Sequence, residues 1–121
     1  MFNENSKYNF SNIQLNNIST NSKALFSFSN KETIINDIDV NDIKLIGEDS
    51  SLIYMDDSDF HKNILINNLN IKDSISNGAF LKFCGSSNEI KLNNISFQSV
   101  RSHQPLIYNQ SKKVRTILNN L

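Results

Sequence analysis

The residue types best suited to chemistry sit near the middle of the chain. Glu48 and Asp49 precede Asp56, Asp57, Ser58 and Asp59, and His61 follows. Ca²⁺ takes about 6–8 oxygen ligands, so Asp56, Asp57 and Asp59 form a candidate calcium site, and calcium is the one cofactor the pattern suggests. A solvated acidic loop is the competing reading, because no glycine supplies the sharp turn of a ligand loop and the spacing fits no recognised calcium motif. Two carboxylates can also share acid and base work on a glycosidic bond, provided they flank a substrate groove at a defined separation. The pair Asp56-Asp57 alone does not define such a site, and no catalytic residue is assigned. Arg101 and His103 belong to a different repeat and read as polar loop residues. The single cysteine, Cys84, excludes an intrachain disulfide and a four-cysteine zinc site, and reads as a small buried hydrophobe.

Any such site must be positioned by a chain of 121 residues, enough for one domain. Only 38% of the residues are apolar and 20% are charged, whereas counting gives 21 Asn, 17 Ser and 16 Ile beside three Gly, one Pro and no Trp. The missing apolar residues are therefore replaced mainly by uncharged polar ones. Twelve basic residues balance twelve acidic ones, which removes the field that usually marks a nucleic-acid partner. No stretch approaches the roughly 18 apolar residues of a membrane-spanning helix. The start, Met1 to Tyr8, lacks the basic and apolar regions of a secretory signal.

The sequence repeats. Ile90-Lys91-Leu92-Asn93-Asn94-Ile95-Ser96-Phe97 echoes Ile64-Leu65-Ile66-Asn67-Asn68-Leu69-Asn70-Ile71, and both echo Ile13-Gln14-Leu15-Asn16-Asn17-Ile18. Weaker copies are Thr33 to Val40 and Thr116 to Leu121. Anchoring on the apolar residue after the Asn pair gives Ile18, Ile38, Leu69, Ile95 and Leu121, at spacings of 20, 31, 26 and 26. A second motif lies between anchors, in Ala24 to Phe28, Ser51 to Met55, Ala79 to Phe83 and Pro105 to Asn109, with Phe26, Ile53, Leu81 and Ile107 as its expected inward residues.

Within the anchor motif apolar residues alternate, which is the period of a strand. The alternation breaks at the Asn pair. To keep both halves facing one core the chain must bend there, and Asn enters the left-handed region at low cost. Each repeat therefore holds a strand, a bend and a second strand, and the second motif adds a third. The expected fold is all-β, a right-handed parallel β-helix of about four to five coils with three short strands per coil, occupying 1–121 as one repeat segment. Equivalent residues would then stack as amide ladders, with Asn36, Asn67, Asn93 and Asn119 in one and Asn17, Asn68, Asn94 and Asn120 in the other.

On these motifs, from about Tyr8 to Leu121, the chain resembles the parallel β-helix repeats of the pectin-lyase-like superfamily, and specifically the Ile/Asn-rich repeats of large secreted or surface proteins. The resemblance implies an extracellular or cell-surface setting and a non-enzymatic scaffold, or an adhesion module that binds carbohydrate or a protein surface. It also implies an alternative, a piece of a carbohydrate-active enzyme, since pectate lyases of this fold use carboxylates with calcium. A leucine-rich repeat is the further alternative. Leu92-x-x-Ile95-x-Phe97 fits the start of that consensus, but Ile43, Ser74 and Val100 stand where it requires Asn or Cys. Solenoid ends expose strand edges and core, so self-association through open coil ends is expected, as is continuation of the solenoid in a longer chain.

Overall fold

The computed structural model describes residues 7–28, 31–55, 61–85, 87–109 and 113–119. Among them there is no helix. The strands are β1 (Lys7–Thr20), β2 (Ala24–Phe28), β3 (Glu32–Leu45), β4 (Ser51–Met55), β5 (His61–Lys72), β6 (Ile75–Ser76), β7 (Leu81–Phe83), β8 (Ser87–Gln98), β9 (Arg101–Ser102), β10 (Ile107–Asn109) and β11 (Lys113–Asn119). All pairings are parallel. One sheet runs β11-β8-β5-β3-β6-β9 with β1 also on β3, and a second runs β10-β7-β4-β2. The strands stack as a β-solenoid of about four turns.

The register explains how the sequence closes each coil. Glu32 lies level with Lys7, Asn63 with Glu32, Glu89 with Asn63 and Arg115 with Glu89, so successive coils advance by 25, 31, 26 and 26 residues. This corrects the first anchor. Ile18 lies level with Ile43, and the partner of Ile38 is Ile13. The pair Asn16-Asn17 imitates the motif one bend too late, because β1 carries an Asn at both of its bends.

Those bends form two columns of left-handed residues. Asn12, Asp37, Asn68 and Asn94 have φ of 57°, 58°, 60° and 57°, and Asn17, Asp42, Asp73 and Ser99 have φ of 56°, 56°, 51° and 51°. In each of these four coils the second left-handed residue follows the first by five. Asn and Asp tolerate this region because their short polar side chains bond locally, so composition and shape have one cause. The ladder of β3 passes through both bends, whereas the third and fourth coils divide into three strands each.

Between bends the alternation sends one set of side chains inward in columns. Ile35, Ile66 and Leu92 stack, as do Ile38, Leu69 and Ile95, and across the solenoid Ile53 and Leu81, all at most 2% exposed. Phe26 and Ile107 extend the last column at its two ends and are half-buried. The third coil substitutes Ser74 and Ser76 for the level of Ile43 and Leu45. Both hydroxyls are satisfied. Ser74 Oγ donates to Lys72 O at 2.9 Å and accepts from Ile43 N at 3.1 Å, and Ser76 Oγ donates to Ser50 O at 2.8 Å. The corner before the second sheet passes so close to its neighbour that a Cβ on Gly47 would lie 2.2 Å from Asn21 O, and one on Gly78 2.4 Å from Ser50 O. Glycine is required at both positions.

Candidate binding surface

Asp56, Asp57 and Asp59 lie outside the described residues, as does Asn120. Among the described residues no group of three or more His, Cys, Asp or Glu could hold a metal ion. Glu48 and Asp49 sit at the corner between the sheets, beside His103, and Arg101 lies in β9. Cys84 is buried, and its carbonyl accepts Lys62 Nζ at 2.7 Å and Asn88 Nδ2 at 3.2 Å. Lys62 is itself 0% exposed, and this bond supplies an acceptor that a buried amine requires.

The amide columns have measurable geometry. Asn67 Nδ2 donates to Asn36 Oδ1 at 2.8 Å and Asn93 Nδ2 to Asn67 Oδ1 at 2.7 Å. At the next position Asn68 Nδ2 donates to Asp37 Oδ1 at 2.9 Å and Asn94 Nδ2 to Asn68 Oδ1 at 3.0 Å. Asn17 does not belong to that second column. It stands with Asp42 at the later bend, and Asn12 takes the place level with Asp37. Asn119 is paired with Asn93 through the backbone.

The outer face of the second sheet brings together residues that the anchor motif does not reveal. In the second apolar block the middle residue alternates outward, and the register puts Ser27, Tyr54, Lys82 and Tyr108 in one column. Tyr54, Lys82 and Tyr108 are half-buried. Lys23 Nζ lies 4.5 Å from the Tyr54 ring centroid and donates to its hydroxyl at 3.4 Å, and Lys82 Nζ lies 5.8 Å from the Tyr108 centroid. Cations and rings thus alternate along the axis, an arrangement favoured by the negative face of the ring.

Asp49 pins this column to the corner. Its Oδ2 accepts from Lys82 Nζ at 2.5 Å and its Oδ1 from Gln104 Nε2 at 2.7 Å, so one left-handed residue of the second coil ties the third and fourth coils together. The Lys82 hydrogen bond holds the Asp49 carboxyl below its ordinary value; burial opposes this and the Gln104 bond adds to it. Burial alone would lower Lys82, but the hydrogen bond and charge of Asp49 outweigh it and leave the amine above its ordinary value. Alongside runs an open groove lined by Ile46, Glu48, Asp49, Asn77, His103 and Gln104. Ile46, Asn77 and His103 occupy one level in successive coils, and Asn77 Nδ2 donates to Ile46 O at 2.7 Å. Ile46 is 57% exposed, an unusual place for a large aliphatic side chain beside so many polar groups.

The fold is that of a parallel β-solenoid. No protein-family model matches the chain, and no curated protein or solved structure matches it.

Proposed function

We propose that the chain is a non-enzymatic β-solenoid scaffold that binds carbohydrate at a cell surface through the outer face of its second sheet. The observation that carries this reading is the outward column Tyr54, Lys82 and Tyr108, whose Lys82 is held by Asp49, itself bound by Gln104, and which the groove borders. Tyrosine presents an apolar body with a polar tip, and amides and carboxylates beside it suit the hydroxyl edge of a sugar. The resemblance of the repeats to pectin-lyase-like surface proteins supports the same reading. A glycan array probed with the full chain should show retention of at least one oligosaccharide class, reduced in Tyr54→Ala and Tyr108→Ala, without release of reducing ends. Hydrolytic release that disappears in Asp56→Ala would make the chain an enzyme instead, and an array without signal would remove the carbohydrate reading.

Self-association belongs to the same proposal. Among the described residues β1 pairs only with β3, and its fourteen residues carry a single charge, Lys7, with no proline to blunt the edge. Sedimentation should give a mean mass that rises with protein concentration. A constant mass of 13.8 kDa across the concentration range would refute it.

A further inference from the structure

We infer that the ledge formed by the outward column Tyr54, Lys82 and Tyr108 on the second sheet takes a neutral, extended, β-linked glycan lying parallel to the solenoid axis, rather than a polyuronate. This rests on the carbohydrate-binding reading above. Two observations carry it. The first is spacing. Tyr54 and Tyr108 stand on either side of Lys82 in one column, two coils apart, and with about 4.8 Å between adjacent strands their separation along the axis is about 9.6 Å. That is close to the repeat of one disaccharide in an extended β-1,4-linked chain, so alternate sugar rings meet alternate tyrosines and the ring between them lies over Lys82. A chain laid across the column would meet one tyrosine only.

The second observation is charge. Among the described residues of the ledge and groove, Lys23 and Lys82 are matched by Glu48 and Asp49. Lys82 spends its charge on Asp49 at 2.5 Å, and the amine of Lys23 lies on Tyr54. A row of carboxylates on the ligand would meet no surplus of positive charge and would lie against Glu48 and Asp49, at a like-charge cost. Hydroxyl groups meet instead the amide of Gln104, the amide of Asn77, the imidazole of His103 and the tyrosine hydroxyls, which offer both donors and acceptors.

The test is calorimetric titration of the full chain with cellohexaose, chitohexaose, cellobiose and hexagalacturonate, each at low and at physiological salt. Binding of a neutral hexasaccharide, insensitive to salt, is expected, with cellobiose about tenfold weaker because it cannot engage both rings. Tyr108→Ala and Tyr54→Ala should each weaken the hexasaccharide about tenfold, and the corresponding Phe variants should retain most of the affinity and confirm that the fold survives. Salt-sensitive binding of hexagalacturonate without binding of the neutral sugars would overturn this inference and leave the carbohydrate reading standing. Equal affinity for cellobiose and cellohexaose would overturn the axial alignment. If no sugar binds the folded chain, both the inference and the reading beneath it fall.

Discussion

The first coil and the middle coils have the same inward chemistry and different fates. Phe10 and Ile13 are half-buried, whereas the residues level with them in the next three coils, Ile35, Ile66 and Leu92 or Ile38, Leu69 and Ile95, are at most 2% exposed. Apart from the aromatic ring of Phe10, the inward residues of the two groups are of the same aliphatic type. A middle coil has a neighbour on each side, while β1 pairs only with β3 among the described residues. Burial in a solenoid is therefore conferred by the stack, as expected when each repeat contacts only adjacent repeats.

The largest effect should come from the core. Leu69→Ala, in the centre of the stack, is expected to cost about 2–5 kcal/mol in urea unfolding, and Ile13→Ala less than half as much as Leu69→Ala. Equal losses would break the comparison and show that the first coil is as well covered as the third. The bends should behave differently, because backbone strain is local. Asn68→Ala forfeits its column hydrogen bonds with Asp37 and Asn94; beyond that, Asn12→Ala and Asn68→Ala both place a side chain without a local hydrogen bond in the left-handed region, a loss of about 1–2 kcal/mol each irrespective of coil. Glycine at the same positions should recover most of that loss in the same unfolding experiment. A smaller contrast lies in the amide column. Asn67 makes two column hydrogen bonds, to Asn36 and from Asn93, so Asn67→Ala should lose more than Asn36→Ala by about 0.5–1.5 kcal/mol.

The smallest effect is electrostatic. Asp49 is held below its ordinary carboxyl value, chiefly by Lys82. Its contribution is therefore complete above the ordinary carboxyl range and is lost as pH falls through the depressed value. Lys82 is raised, so its contribution is complete below the ordinary lysine range and is lost as pH rises through the raised value. With the carboxylate side chain 37% exposed, solvent screening limits the pair to less than about 1 kcal/mol. Unfolding of wild type against Asp49→Asn at pH 7 and at pH 2 should show a gap that closes at acid pH; a gap of the same size at both would mean that the aspartate acts through shape alone.

Much of this architecture is legible in the sequence, for reasons that are particular. Ile90, Leu92, Ile95 and Phe97 announce both the strand and its bend, since only a left-handed residue at Asn94 keeps the two halves in phase. The first coil misleads because Asn12 has Ser11 before it, so the Asn16-Asn17 pair looks like the motif although it marks the later bend. Lys62 lies in phase with inward Ile64 and Ile66, yet its residue type points outward, and the carbonyl of Cys84 that accepts its amine lies 22 residues away in sequence. The ledge was the least visible part. Tyr54, Lys82 and Tyr108 are 28 and 26 residues apart, and their alignment depends on loop lengths that no single motif encodes.

The nearest-neighbour register also has a mechanical meaning. A pull along the solenoid axis loads one coil boundary at a time, because among the described residues each strand pairs only with strands of adjacent coils, although the Asp49–Gln104 bond, which spans two coils, must break as well. Extension should proceed by discrete releases, each freeing a coil of 26 residues, or roughly 85–95 Å of contour. The 31-residue advance between β3 and β5 would give one visibly longer step in the trace.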